Sequence, residues 1–149
     1  MAISQKCLYG LRAIFELAKR HQQGPARIGE IAAAQAIPTR FLEVILNELK
    51  QGGFVDSRRG KEGGYLLARH PREISVGEII RFVQGPMYPV EELIAKEVDG
   101  APEIPGIVFV PVWRKLEAAV AGVLDATTFE QLVTDEKTHK GRRIVDFSI

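Results

Sequence analysis

Cysteine is nearly absent from this sequence, since only Cys7 among 149 residues carries a thiol. One cysteine excludes a disulfide within the chain and any site that takes several thiolates from it. No stretch approaches about 18 consecutive apolar residues, so the sequence predicts no membrane span. Residues 1–7 also lack the apolar run of a secretory signal. We therefore expect the protein in the reducing environment of the cytoplasm.

Net charge is also nearly absent, because 20 Lys and Arg stand against 19 Asp and Glu, a net of +1. Taken alone, this balance argues against a nucleic-acid-binding protein, which usually has a basic excess. The sum hides an asymmetry, however. Residues 1–72 carry 12 basic and 6 acidic side chains, a net of +6, whereas the remainder carries 8 and 13, a net of −5. Either the basic half contacts nucleic acid, or the surface is merely uneven and solvated.

Clusters of residues that could carry catalysis are missing as well. Three histidines are spread along the sequence without a surrounding motif: His21, His70 and His139. No Cys/His group has the spacing of a zinc site. Cys7 lies on a predicted helix, where a small hydrophobic role is favoured over a redox role, although the redox alternative stays open. We therefore predict neither an enzyme nor a metal site.

The first half of the sequence predicts a winged helix-turn-helix. Apolar residues at helical spacing indicate helices over residues 5–22, 27–36 and 39–51, the last one between Pro38 and Gly52. Two short apolar runs at residues 54–57 and 65–68 flank a glycine-rich basic tip, as in a β-hairpin. Ser75 and Glu78 form a capping box that opens a fourth helix, which extends to about Val83. The predicted class is mainly α with a small β-hairpin wing (α+β).

The second half predicts further helices. We expect an acidic helix or turn over residues 90–96, a loop over 99–105, a helix over 111–126, a short helix over 129–134 and a polar tail. The predicted organisation is a DNA-binding domain (1–84), a linker or effector segment (85–110), a dimerisation helix with the short helix that follows it (111–136) and a C-terminal tail (137–149).

The helix over residues 111–126 is the best candidate for a dimerising element. A symmetric DNA reader places two recognition helices about 34 Å apart, which requires a dimer. Apolar residues share one face of this helix: Val112, Trp113, Leu116, Val120, Val123 and Leu124. The alternative is that the helix packs back on its own domain.

The third helix is the candidate recognition helix. Its apolar stripe is formed by Leu42, Ile45, Leu46 and Leu49. The predicted base-reading residues gather on the other side: Thr39, Arg40, Glu43 and Asn47. Arg40 suits guanine or phosphate, Glu43 suits the cytosine N4 amine, and Asn47 lies one turn deeper. The alternative is an ordinary solvated helix face.

The tip of the predicted hairpin carries Arg58, Arg59, Gly60 and Lys61. A thin basic loop can enter the narrow minor groove, where the negative potential attracts arginine. The alternatives are an exposed turn with incidental charges, or a phosphate-binding loop. The glycine spacing, however, matches neither known phosphate-loop motif.

Short motifs run along nearly the whole chain. They are Lys6, Tyr9-Gly10-Leu11, Gly24-Pro25, Phe41-Leu42-Glu43, Ser57-Arg58-Arg59-Gly60, Gly63-Gly64-Tyr65, Ser75-Val76-Gly77-Glu78, Trp113-Arg114-Lys115-Leu116 and Thr127-Thr128-Phe129. Together they resemble the Rrf2 family of winged-helix repressors. The resemblance implies a homodimeric, sequence-specific regulator, expected to repress, that binds a pseudo-palindromic operator in double-stranded DNA. The family's recognition positions fall on Thr39, Arg40 and Glu43 and its wing arginine on Arg59, and we add Lys6 and Tyr9 as predicted DNA contacts.

One departure from the family pattern bears on the cofactor. Cluster-binding members carry three cysteines between the fourth helix and the dimerisation helix, whereas residues 84–112 here contain none. We therefore expect no iron–sulfur cluster of that type and no other cofactor. Gly85-Pro86 and Pro89-Val90-Glu91 resemble the cluster-free, CymR-like branch, whose members regulate sulfur metabolism and can respond through a cysteine-synthase partner. The apolar residues 107–110 either line an effector pocket or extend the dimer contact.

A second hypothesis for function is a winged-helix interaction module that docks a metabolic enzyme such as a cysteine synthase. Such a docking surface has no need of three basic residues in the wing. The DNA-binding hypothesis therefore leads.

Overall fold

The computed structural model describes residues 2–87 and 107–147. The elements in chain order are α1 (Gln5–Lys19), α2 (Ile28–Gln35), α3 (Thr39–Gln51), β1 (Val55–Arg58), β2 (Gly64–Leu67), α4 (Val76–Gln84), α5 (Val110–Ala126) and α6 (Phe129–Phe147). Single 3-10 turns precede α4 and α5, at Pro71–Glu73 and Ile107–Phe109. The predicted α+β class and winged-helix order are confirmed. The predictions for residues 90–96 and 99–105 lie outside the described residues.

Local sequence signals explain where these helices begin and end. The Ser4 hydroxyl caps α1 by accepting from the Cys7 amide at 3.1 Å. Both halves of the predicted capping box are present, with the Glu78 amide donating to Ser75 Oγ and the Ser75 amide donating to Glu78 Oε2. The helix α2 ends because Ala36 adopts a left-handed conformation at φ 51°, which breaks the helical hydrogen-bond pattern.

The hydrophobic core lies between α1, α2, α3 and the base of the hairpin. Its largest fully buried members are Phe129, Ile14, Ile31, Leu42, Leu46, Leu49, Ile74 and Ile79. Because α3 contributes all four residues of its predicted apolar stripe, this packing fixes which face of α3 is left for solvent.

The wing is a two-stranded antiparallel hairpin in which Val55 pairs with Leu67 and Arg58 pairs with Gly64. A third piece of backbone joins it, because Ala26 and Tyr65 exchange two backbone hydrogen bonds of 2.8 Å. The segment that leads into α2 is therefore tied directly to the wing. This tie holds the hairpin against the helices.

Two helices differ in length from the sequence prediction. The helix α1 ends at Lys19 rather than at residue 22, and the chain then turns through positive φ angles at Gln22 and Gly24. The helix α6 continues to Phe147, although the sequence predicted an end near residue 134 and then a polar tail. No glycine or proline interrupts residues 129–140. Contacts one turn apart support this polar helix, including a Glu136–Lys140 ion pair of 3.1 Å.

None of the described helices combines the length and the apolar composition that crossing a membrane would require.

Candidate nucleic-acid interface

The exposed side of α3 carries the predicted recognition residues. Burial of the apolar stripe turns Thr39, Arg40, Glu43 and Asn47 to solvent. The Arg40 guanidinium lies over the Phe41 ring, 4.7 Å from the ring centre. At the end of the helix, Lys50 Nζ donates to Ser57 Oγ at 2.6 Å, which ties α3 to the wing. The four predicted residues therefore share one solvent-facing helix surface.

The turn between α2 and α3 is held by α1. The Arg12 guanidinium donates to the carbonyl oxygens of Gln35 and Ala36, where the orphan carbonyls at the end of α2 need partners. The Tyr9 ring contacts both this guanidinium, 5.5 Å from the ring centre, and the Phe41 ring, whose centre lies 6.4 Å away. Arg12 and Tyr9 therefore support the angle at which α3 leaves the turn.

Lys6 and Tyr9, the two further residues predicted to contact DNA, lie beside α3. Lys6 Nζ forms an exposed ion pair with Glu48 at 2.7 Å, and Tyr9 is half-buried against Phe41. Both residues thus bind α3 in the free protein. Their contact with DNA stays a prediction.

The tip of the wing is shaped by glycine and anchored by an arginine that the sequence reasoning missed. Gly60 has φ 106°, a backbone conformation that residues with a side chain rarely adopt. Its carbonyl oxygen accepts a hydrogen bond from the Gly63 amide at 3.0 Å. The Arg27 guanidinium donates to the Lys61 carbonyl at 2.5 Å. This thin loop leaves Arg58, Arg59 and Lys61 exposed.

A buried carboxylate joins α1 to α2. Glu16 is 4% exposed and accepts from Arg20 at 2.7 Å and from Gln35 at 2.9 Å. Burial by itself raises the pKa of this carboxyl group, but the hydrogen bonds from Arg20, Gln35 and Lys19 outweigh it and lower the pKa from its ordinary value. The ionised Glu16 side chain therefore holds α2 against α1 through its hydrogen bond with Gln35.

Cys7 is buried in α1, whereas two histidines lie close together outside the core. Cys7 is fully buried, and burial raises the pKa of its thiol, which disfavours the reactive thiolate. His21 and His70, distant in sequence, lie with ring centres 4.7 Å apart, and His70 Nδ1 is 3.7 Å from Glu130. In the part of the chain that the structure describes, no group of three or more His, Cys, Asp or Glu residues could hold a metal ion.

The predicted apolar face of α5 is half-buried at some residues and exposed to solvent at others. Leu116, Val120 and Leu124 are half-buried on the helix, which lies against α4, and an Arg81–Asp125 ion pair of 2.7 Å joins the two helices. The rest of the face stays in solvent: Val112, Trp113 and Val123, with Trp113 38% and Val123 67% exposed. The helix thus packs partly on its own domain and leaves an apolar strip exposed.

The exposed face of α3 also carries an apolar residue that the sequence reasoning passed over. Val44 is 56% exposed and lies one turn after Arg40 on the same side of the helix. The signal was present in the sequence, because Val44 falls outside the apolar stripe on a helical wheel. No comparable signal marked Arg12 or Arg27, since their partners are backbone carbonyl groups.

Comparison with known proteins places the chain in a family. Residues 3–135 match the Rrf2 family, described as an iron-dependent transcriptional regulator. The HTH-type transcriptional regulator CymR of Bacillus subtilis is 38% identical over 134 residues, which cover 90% of this chain and 91% of that protein. IscR of Serratia proteamaculans is 30% identical over 139 residues, covering 91% and 81%. The solved structure of B. subtilis CymR, named a global cysteine regulator, has a TM-score of 0.75 at 35% identity and covers 90% and 97%.

The family description raises the question of iron. The chain has a single cysteine, and it lies in the core as part of α1. Iron–sulfur clusters are held chiefly by several cysteine thiolates. The donor set of this chain therefore does not fit such a cluster.

The arrangement as a whole is that of a regulator. A recognition helix and a basic wing lie on a helix-turn-helix core, and the relatives are transcriptional regulators, not enzymes. The chain belongs to the Rrf2 family of winged-helix transcriptional regulators.

Proposed function

We propose that this chain is a cytoplasmic, homodimeric repressor that binds a pseudo-palindromic DNA operator. The observation that carries the proposal is the pairing of the exposed face of α3 with the exposed basic tip of the wing. These two elements are tied to each other through Lys50 and Ser57. A helix and a basic loop held in fixed relation can enter neighbouring grooves of one duplex.

In this proposal the first two turns of α3 read the major groove. Thr39, Arg40 and Glu43 offer donors and acceptors that match base edges, with Arg40 suited to guanine and Glu43 to cytosine. Asn47, one turn deeper, takes a secondary part. Lys6 and Tyr9, at the edge of α3, are placed to contact the phosphate backbone as the helix enters the groove.

The wing supplies the minor-groove and electrostatic part of binding. Arg58, Arg59 and Lys61 are exposed, and within the described residues the structure records no ion pair for them. Their charges are therefore available to phosphate groups, whose neutralisation releases counterions and makes affinity depend on salt. Gly60 lets the loop stay thin enough for the narrow groove.

The helix α5 supplies the dimer contact. Its exposed Val112, Trp113 and Val123 form an apolar strip that a second copy of the chain would cover. Association through this strip would bring two α3 helices to one face of the duplex, where half-sites lie about 34 Å apart.

We further propose that regulation proceeds without an iron–sulfur cluster, since one buried cysteine cannot supply its ligands. Because one relative is named as a global cysteine regulator, promoters of sulfur-metabolism genes are the first DNA targets to test. A sulfur-metabolism enzyme, such as a cysteine synthase, is the partner to test as a source of the signal.

The test is a change of one arginine to alanine, Arg59→Ala, measured by fluorescence anisotropy on an operator selected with the full chain from random duplexes. The homodimer loses one arginine at each half-site, and each loss should weaken operator binding by about 1–3 kcal/mol and reduce the slope of log K against log salt by about one. The melting temperature should not change, because Arg59 is exposed at the tip of the wing.

Lys137→Ala is the matched control, since it removes one exposed positive charge from α6 rather than from the wing. It should leave operator affinity within about twofold of the wild type. Failure of the wild-type chain to bind any selected duplex at low salt, together with capture of a stoichiometric enzyme, would favour the interaction-module hypothesis instead.

A further inference from the structure

The exposed face of α3 has an apolar residue near its centre. At about 100° per residue, the buried stripe centres opposite Arg40, Val44 and Asn47, each within about 30° of the outward direction. Thr39 and Glu43 lie farther toward one edge. Val44 therefore occupies a more central place on the recognition surface than two of the residues predicted to read bases.

With α3 in the major groove as proposed, the neighbours of Val44 would put it over bases rather than beside the backbone. Arg40 and Val44 stand one turn apart on one row of the helix, and Thr39 and Glu43 form the adjacent row. These two rows make up the first two turns of α3, the part of a recognition helix that meets base edges. Val44 is 56% exposed there.

A shallow apolar groove borders Val44 on the side of α1. It encloses about 350 Å³ and is lined by Gln5, Lys6, Tyr9, Phe41, Val44 and Ile45. One wall of this groove is the stacked pair of Tyr9 and Phe41. The apolar character of the recognition surface is thus continuous from Val44 to Phe41.

The chemistry of the major groove gives this surface one natural counterpart. Every base edge there presents hydrogen-bond donors or acceptors, and the only methyl group is the C5 methyl of thymine. The side chain of Val44 has no donor or acceptor, so placing it over a polar edge strips that edge of water without replacement. Over a thymine methyl, the same contact buries apolar surface on both sides.

We propose that Val44 is a specificity-determining residue that selects thymine by contact with its C5 methyl group. The inference deepens the proposed function and rests on it, because it assigns a base to one position of the recognition helix. It predicts a thymine at one fixed position in each half-site. Burying about one methyl group corresponds to roughly a fourfold gain in affinity per half-site.

The experiment uses the full chain and the operator selected from random duplexes. Each thymine is replaced in turn by deoxyuridine, which keeps base pairing and removes only the C5 methyl. For the wild-type chain, we expect about a fourfold loss of affinity at one thymine in each half-site, or roughly fifteenfold when both are replaced. Val44→Ala should bind the thymine and deoxyuridine duplexes equally at that position.

Gln51→Ala is the matched control, because Gln51 is exposed on the same face but lies two turns farther along α3. It should keep the wild-type preference for thymine at every position. Both variants replace exposed residues and should melt at the wild-type temperature.

The outcomes separate this inference from the proposed function. If Val44→Ala keeps the full thymine preference while Arg59→Ala weakens binding, the role of Val44 is overturned and the DNA-binding function stands. A thymine preference that is absent in the wild type also overturns it. Failure of the wild-type chain to bind duplex at all overturns both.

Discussion

The two halves of the molecule bury their apolar side chains to very different extents. Among the described residues, every buried member of the hydrophobic core except Phe129 lies in residues 2–84. The helix α5, in contrast, spans 17 residues and has no buried residue. The charge is divided in the same way, with the basic excess in the first half and the acidic excess in the second.

This difference teaches that the two halves depend on different contacts. The DNA-binding half supplies every buried core residue among those described except Phe129, so packing within the chain holds its recognition helix and wing before any partner arrives. The second half leaves Val112, Trp113 and Val123 in solvent, and exposed apolar strips of this kind typically mark interaction surfaces. The described core thus lies almost entirely in the first half, whereas the second half carries the strip that we propose for dimerisation.

Phe129 is the place where this comparison is most easily broken. It is 1% exposed in the core of the first half, and its amide donates to the Ile74 carbonyl at 3.1 Å. Phe129→Ala should lower the free energy of unfolding by about 3–5 kcal/mol, because it leaves a large cavity where α6 enters the core. Urea denaturation followed by circular dichroism measures this change.

The exposed Lys137 of the same helix provides the control. Lys137→Ala should change the unfolding free energy by no more than about 0.5 kcal/mol. A loss below about 1 kcal/mol for Phe129→Ala would mean that the first half needs nothing from α6.

Trp113 tests whether the exposed apolar strip of the second half is an interface. It is exposed on α5 and lies 6.3 Å from the Phe109 ring. If α5 forms the proposed dimer contact, Trp113→Ala should weaken dimerisation by about 2 kcal/mol, roughly thirtyfold, since large aromatic residues dominate interface energies. Sedimentation velocity over a concentration series measures the change.

Lys115→Ala, an exposed change on the same helix, should leave the dimer intact. A dimer that survives Trp113→Ala with unchanged affinity would move the interface away from this strip. A wild-type chain that stays monomeric at all concentrations would contradict the dimer itself.

Much of the DNA-binding half could be predicted because its signals are local. Pro38 and Gly52 bound α3 at the predicted residues, and the Ser75–Glu78 capping box opens α4 as expected. The wing could be predicted from the two short apolar runs, residues 54–57 and 65–68, that flank a glycine-rich segment. In each case the residues that determine the element lie within a few positions of it.

What the sequence did not predict depends on distant contacts or on the environment of a face. The length of α6 depends on polar contacts one turn apart, such as that of Glu136 with Lys140. From composition alone, the same polar residues are typical of a solvated tail. The approach of His21 to His70 depends on how the chain folds back. The recognition residues follow from the helical wheel, which identifies the exposed face of α3 but not the base that each side chain contacts.

A second link between the halves is polar and tests the comparison more finely. Lys19 lies 3.3 Å from Glu16 within α1 and 3.5 Å from Glu136 of α6. Glu16 also accepts from Arg20 and Gln35. The buried carboxylate therefore stands in one chain of contacts that runs from α2 through α1 to α6.

Because the pKa of Glu16 is lowered in the folded chain, its charged form stabilises the fold above the ordinary carboxyl pKa. That contribution is lost as the pH falls through the folded pKa. Glu16→Gln should cost about 1–2 kcal/mol of unfolding free energy at pH 7, and the difference from wild type should shrink as the pH is lowered below about 4.5. Glu30→Gln removes a carboxylate that also pairs with Arg20, at 3.1 Å, but is 51% exposed, and should cost less than about 0.5 kcal/mol at any pH. Equal costs for the two variants would contradict a special role for the buried carboxylate and would leave Phe129 as the main tie between the halves.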